Sequence, residues 1–236
     1  MIVASGLPKI YEIGPFWRAE ESTSYRHLLE SIGLDVEVAS PKNLEALYEL
    51  AYNTIRTAFL AINEQLNIKE SHLLIPTFEE VPVLRYSEAV ALLQSRGFNI
   101  KYGSDLGLVG ESKLGQIMKK EHSSDVLIIK EYPDTIKKFY TKKRSNGETE
   151  TFDIIVDGWE FVSGAIRNTD RRNIEKSMLL SGISASSYAF YLSIVDRAVP
   201  HGGFCLGIDR LVAKALDKET VAEATAFPRT TERLIP

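Results

Sequence analysis

Two carboxylates, Asp153 and Glu160, flank the dipeptide Asp157-Gly158 in the stretch TFDIIVDGWEFVSGAIR. Asp-Gly is a favoured two-residue hairpin turn. A turn there pairs Val156 with Trp159, Ile155 with Glu160 and Asp153 with Val162. Side chains alternate along a strand, so Asp153 shares a face with Ile155 and therefore with Glu160. The two acids become diagonal neighbours, roughly 7–8 Å apart or somewhat less at Cβ. Such a pair can share a divalent cation. The plainer alternative is that they face solvent or pair with arginines, since unneutralised carboxylates repel and are costly to desolvate. The ligands on offer are oxygens, with no His or Cys cluster nearby, which suits magnesium better than zinc.

A second polar set lies in YEIGPFWRAEESTSYRHLLESIGLDVEVA. Arg18 and Glu20 are two apart and share one strand face. A polar run through Arg26 and His27 follows, and a second strand brings Asp35 and Glu37. Solvated strand faces are polar, so surface decoration is the bland reading; the sharper one is a hairpin that holds a polyanion. Arg210 adds a third element in HGGFCLGIDRLVAKAL. Gly207 opens a helix whose stripe is Ile208, Leu211, Val212, Ala215 and Leu216, with Arg210 off that stripe. Basic charge at a helix start opposes the helix dipole. Arg210 is then either solvated or placed to meet a phosphate.

The elements that must carry these residues alternate between strands and helices. Residues 9–19 and 31–39 read as strands joined by a polar loop. Pro41 opens a helix with a stripe through Leu44, Leu47, Leu50, Ala51, Ile55, Ala58, Phe59 and Ile62. YSEAVALLQSRGF is a helix closed by Gly97, and ESKLGQIMKKEH is another. DVLIIKEYP is a strand ended by Pro133, Asn146-Gly147 marks a hairpin, and NIEKSMLLSGI and SSYAFYLSIVDRAV are helical. Hairpin-linked strands imply an α+β fold, a largely antiparallel sheet flanked by helices. Neither GxGxxG nor GxxxxGK[ST] is present.

Composition sets the outer limits. At 236 residues, 44% hydrophobic and 25% charged, the chain suits one large or two small soluble domains. No apolar run reaches the length of a membrane span. The single cysteine, Cys205, excludes an internal disulfide and suits a reducing cytoplasm. A net charge of −4 argues against a dedicated nucleic-acid module. The basic run Lys137, Lys138, Lys142, Lys143 and Arg144 reads mainly as a solvated hairpin face. The chain enters an apolar strand almost at once, so a segment upstream is expected.

Together these pieces resemble the catalytic domain of class II aminoacyl-tRNA synthetases, of the aspartyl/asparaginyl subgroup. FWRAE…RHLLE…LDVE is similar to the family's second signature motif and GGFCLGIDRLV…FPR to its third. DIIVDGWEFVSGAIR resembles the metal-ligand stretch between them. The resemblance covers nearly the whole chain, as one domain over 1–236. It implies an antiparallel active-site sheet, with bent ATP attacked at its α-phosphate by an amino-acid carboxylate. It implies Arg18 on the α-phosphate, Glu20 on the adenine amino group, His27 near the pyrophosphate end and Arg210 on the γ-phosphate. Asp153, Glu160 and Ser163 would hold Mg2+; Arg167 would grip the amino-acid side chain, with Asp35 close by. Simple alternation puts Ser163 on the face away from Glu160, so a bulge near Ser163-Gly164 is required. The family's first motif, its amino-acid-contacting strand and its anticodon-binding barrel have no counterpart in the sequence. Ser163-Gly164-Ala165-Ile166-Arg167 stands where the family commonly has Ser-Gly-Gly-Gln-Arg.

The expected partners are ATP and aspartate or asparagine, then the acceptor end of a tRNA, in a homodimer. Three readings follow: a synthetase catalytic fragment, a stand-alone paralogue that amidates adenylated aspartate, and a non-catalytic nucleotide binder.

Overall fold

The computed structural model describes residues 3, 6–19, 24–67 and 72–235. Seven strands form one mixed sheet in the order β1-β2-β7-β6-β5-β4-β3. They are β1 (Lys9–Trp17), β2 (Glu30–Ala39), β3 (Val83–Arg85), β4 (Val126–Lys130), β5 (Thr151–Val156), β6 (Trp159–Ile166) and β7 (His201–Gly207). Every neighbouring pair is antiparallel except β3 with β4. Helices α1 (Leu44–Gln65), α2 (Tyr86–Ser95), α3 (Gly107–His122), α4 (Arg171–Leu180), α5 (Ala189–Val195) and α6 (Ile208–Ala215) flank the sheet. This is the expected α+β architecture, with the three-residue parallel strand β3 added. No described helix is long and apolar enough to cross a membrane.

The two sheet faces do different work. On the back, alternate residues Val126, Ile128, Phe152, Ile154, Val162, Phe204 and Leu206 pack with Leu47, Ala51, Ile55 and Phe59 of α1 and Leu211 of α6. Asn43 caps α1, its Oδ1 accepting from the Ala46 amide at 2.8 Å. Pro41 therefore lies outside the helix, two residues before its cap. On the front, over β4 and β5, Tyr86 and Leu93 of α2 and Leu114 and Met118 of α3 bury Leu127, Ile129 and Ile155. The front face over β2, β7 and β6 carries polar residues instead.

Two close approaches need glycine. Asp157 and Gly158 have φ of 45° and 75°, the left-handed pair that a two-residue hairpin demands. A Cβ on Gly115 would lie 2.7 Å from the Gly158 nitrogen, so α3 rests directly on the β5–β6 turn. The Asn146-Gly147 hairpin forms only isolated bridges, such as Lys143 with Thr149, not a strand pair. The expected helix over SSYAFYLSIVDRAV shortens to a 3₁₀ turn at Ala185–Tyr188 followed by α5.

Candidate active site

Strand register gathers the predicted residues. Asp35 is opposite Cys205, Cys205 opposite Ser163, and Ser163 opposite Asp153. Directly paired residues share a face, so these four make one row across the front of the sheet. The ladder shifts register between Ile154 and Ile155: Ile154 faces Val162, while Ile155 faces Glu160. Phe161 is the extra residue. It packs in the back core beside Val162 and stacks on Phe59, ring centroids 6.2 Å apart. The bulge thus returns both Glu160 and Ser163, three residues apart, to the front. It lies at Phe161, not at Ser163-Gly164, and Asp153 faces Ser163, not Val162.

Asp35, Asp153, Glu160, Ser163 and Arg167 all line a hollow of about 400 Å³. Asp153 is buried, and the Lys137 ammonium holds its two oxygens at 2.9 and 2.7 Å. Lys137 also sits over the Tyr132 ring, 3.8 Å from its centroid. The Glu160 carboxyl is pushed up to about 7, by burial first and then by the charges of Asp153 and Glu111. Arg210, 3.7 Å from Glu160 Oε1, works in the opposite direction. Among the described residues no cluster of three or more His, Cys, Asp or Glu side chains gathers as a metal site. Two mutually repelling carboxylates and a hydroxyl on one wall are nevertheless a hard-oxygen donor set that fits Mg2+. Lys137 would share or yield Asp153 to it.

A second, adjoining hollow shares Arg18, Glu160, Ser163 and Cys205 with the first and adds His27 and Arg210. Arg18 lies just past β1; its amide donates to Leu29 O at 2.9 Å and its guanidinium lies over Phe16. His27 Nδ1 is 2.6 Å from Ser24 Oγ. Glu20 lies outside the described residues. Arg210 is not a solvated side chain. It is largely buried, its Nε donates to Arg26 O at 3.2 Å, and its Nη1 donates to Glu160 O. Burial lowers its pKa, helped by the nearby Arg26 and Arg18.

Just past the end of β6, Arg167 donates from Nε and Nη2 to Glu37 Oε1, at 2.9 and 2.5 Å. It also lies over Tyr140, 5.2 Å from the ring centroid. The Cys205 thiol is pushed up to about 12, by burial and then by Asp35. Gly203 makes room here, since a Cβ would fall 2.1 Å from Val36 O and 2.5 Å from Glu37 Cδ.

Sequence reasoning missed Glu111, the partner of Arg26, and the positions of Glu37 and Lys137. The basic run is largely paired: beyond Lys137, Lys142 meets Glu150, Lys143 meets Asp134, and Arg144 meets Glu131. Only the acids on either side of the run in the sequence hinted at this.

Comparison with known proteins agrees with this geometry. A family model described as tRNA synthetases class II (D, K and N) matches residues 1–231. The chain is 33% identical to the aspartate–tRNA(Asp/Asn) ligase of Sulfurisphaera tokodaii, over all of this chain and 55% of that protein. It superposes on the aspartyl-tRNA synthetase of Entamoeba histolytica with a TM-score of 0.91 at 27% identity, covering all of this chain and 50% of that one. An asparaginyl-tRNA synthetase from Pyrococcus horikoshii, solved with asparaginyl-adenylate, gives 0.84 at 28% identity, covering all of this chain and 55% of that one. The chain spans about half the length of the curated relatives it matches. A mixed seven-stranded sheet, its front row of acids and arginines, and a match over nearly every residue place this chain in the class II tRNA synthetase family of the D, K and N type.

Proposed function

We propose that this chain binds ATP with Mg2+ on the front of the sheet and forms an aminoacyl-adenylate on aspartate. The observation that carries the reading is the register-fixed row Asp35–Cys205–Ser163–Asp153, with Glu160 brought back beside it by the Phe161 bulge. Cationic groups stand at both ends: Arg18 and Arg210 by the smaller hollow, Lys137 and Arg167 by the larger. Solved relatives at 27–28% identity include one holding an asparaginyl-adenylate, which supports the reaction class.

The chemistry asks little of the protein beyond placement and charge. An oxygen of the amino-acid α-carboxylate attacks the α-phosphorus; the new P–O bond forms as the bond to pyrophosphate breaks, and pyrophosphate leaves with that electron pair. No protein group gives or takes a proton. In-line positioning and cationic stabilisation of the phosphate oxygens do the work. Arg18 stabilises the α-phosphate, Arg210 the far phosphate, and His27 faces the pyrophosphate end; Glu20 takes the adenine amino group. Asp153, Glu160 and Ser163 would hold Mg2+, which supplies further neutralisation of phosphate charge when bound. Lys137 holds both oxygens of Asp153 in place until then.

The amino acid fills the larger hollow. Glu37 takes Arg167 Nε and Nη2 through a single oxygen, which fixes the guanidinium plane and leaves Nη1 for a ligand. Arginine offers only donors, so it suits an aspartate carboxylate better than an asparagine amide. Transfer to a tRNA acceptor end by the whole protein, as a homodimer in a reducing cytoplasm, completes the proposal. Amino-acid-dependent ATP–pyrophosphate exchange across all amino acids tests it. Exchange with aspartate is expected; exchange with none, on a folded chain that binds Mg-ATP, contradicts adenylate formation by this chain.

A further inference from the structure

Glu111 lies on α3, away from the row of site residues, and is 4% exposed. Its carboxylate takes three bonds. Oε2 accepts from Arg26 Nη1 and, at 3.1 Å, from the Glu160 amide, while Oε1 accepts from Arg26 Nη2 at 3.1 Å. Arg210 closes the circuit from the other side, donating to the Arg26 and Glu160 carbonyls. Four residues from four places in the fold thus form a closed ring: the β1–β2 connection, α3, β6 and α6. Arg26, Glu160 and Arg210 reach the wall of the smaller hollow, whereas Glu111 does not.

We propose that Glu111 is a positioning residue of the nucleotide site, resting on the Mg-ATP reading above. It fixes Glu160 and Arg210 relative to each other, so the metal-facing carboxylate and the phosphate-facing guanidinium are presented as one unit. Three features of the structure support this. First, the ring is cyclic, so displacing one corner strains bonds at the others, and such networks act as units. Second, Arg18, Arg26 and Arg210 crowd one hollow, and Arg26 acts on Arg210 to lower its pKa. The Glu111 countercharge offsets part of that repulsion: it raises the Arg26 pKa against the effect of burial and acts on Arg210 in the same direction. Third, α3 cannot drift, because Gly115 meets the β5–β6 turn with no room for a Cβ. Glu111 is thereby anchored to the same hairpin whose bulge presents Glu160.

The rival role is purely structural, and two variants separate them. Glu111→Gln strands the buried Arg26 charge and is expected to lose both thermal stability and Mg-ATP affinity. The double variant Arg26→Met with Glu111→Leu replaces the ion pair by apolar groups of similar volume, an exchange that often preserves stability. Calorimetry with Mg-ATP and thermal unfolding are run on the wild type and both variants. The double variant is expected to unfold near the wild-type temperature yet bind Mg-ATP about 10–100-fold more weakly, as for other outer-shell groups. Its gain in ATP affinity on adding Mg2+ should shrink as well. A folded double variant with wild-type affinity and wild-type Mg2+ dependence overturns the proposal. Should neither variant fold, hydrogen exchange on the wild-type chain decides. Slower exchange of the Glu160 amide on adding Mg-ATP supports the ring, and unchanged exchange overturns it. A folded wild type that binds no Mg-ATP overturns the nucleotide reading and this inference with it.

Discussion

Replacing Glu160 by glutamine isolates the electrostatic load that the site carries without its ligand. Between its ordinary value of 4.5 and about 7, the folded protein holds a proton on Glu160 that the unfolded chain has released. The unliganded fold therefore loses stability as pH rises through that window. A shift of this size corresponds to roughly 3 kcal/mol at 1.36 kcal/mol per pH unit. The Glu160 side chain is 32% exposed to the hollow, and solvent screening reduces the usable figure to about 1–2 kcal/mol. Part of the shift comes from the nearby charges of Asp153 and Glu111. Glutamine keeps the Glu160 main-chain bonds to Arg210 and Glu111 and carries no charge. Urea or thermal unfolding at pH 5 and pH 8, with EDTA and no nucleotide, reads the difference. At pH 8 Glu160→Gln should be about 1–2 kcal/mol more stable than wild type, roughly 2–8 °C in Tm for a chain of this size. At pH 5 the gap should nearly close. Parallel stability profiles for the two proteins would refute the argument, since they would mean that Glu160 is not desolvated against Asp153 and Glu111.

Arg210→Ala should cost about 2–4 kcal/mol in urea unfolding as well as ATP affinity, because two carbonyls lose a charged donor; an unchanged midpoint would show the side chain to be idle in the free protein. Gly203→Ala forces a Cβ to 2.1 Å from Val36 O and should destabilise the β2–β7 pairing by about 1–3 kcal/mol or prevent folding; a wild-type Tm would contradict that register. In pyrophosphate exchange, aspartate should lead asparagine, and Arg167→Leu should abolish the preference. Discrimination of roughly 10⁴-fold is within reach when polar groups are left unpaired. Equal or better activity with asparagine in the wild type would overturn the assignment.

The local signals in the sequence were strong where the backbone itself demanded a residue type. Asp157-Gly158 specified the turn because both positions need positive φ, and the apolar stripe of α1 specified its buried side. The turn and strand alternation together were enough to put Asp153 and Glu160 on one face. The bulge was inferable only as a need, from Ser163 and Glu160 being three apart. Its place at Phe161 depends on Phe59 of α1, which no strand pattern encodes. The sequence left Arg210 open between solvent and a phosphate because a helix stripe shows which side meets the core beneath, not whether other elements cover the opposite side. Here Arg26 and Glu160 do. The Arg26–Glu111 pair spans 85 residues, so nothing local in either segment points to the other. The parallel strand β3 has only three residues, below the length at which a period can be read.

Every role proposed for these side chains depends on nucleotide binding at the front of the sheet. Titrating ATP into the folded chain by calorimetry, with and without Mg2+, measures it most directly. We expect one ATP per chain with affinity raised by Mg2+, and loss of that Mg2+ effect in Asp153→Asn. No heat of binding up to millimolar ATP on chain shown to be folded, or an Mg2+ effect that survives Asp153→Asn, would contradict the site.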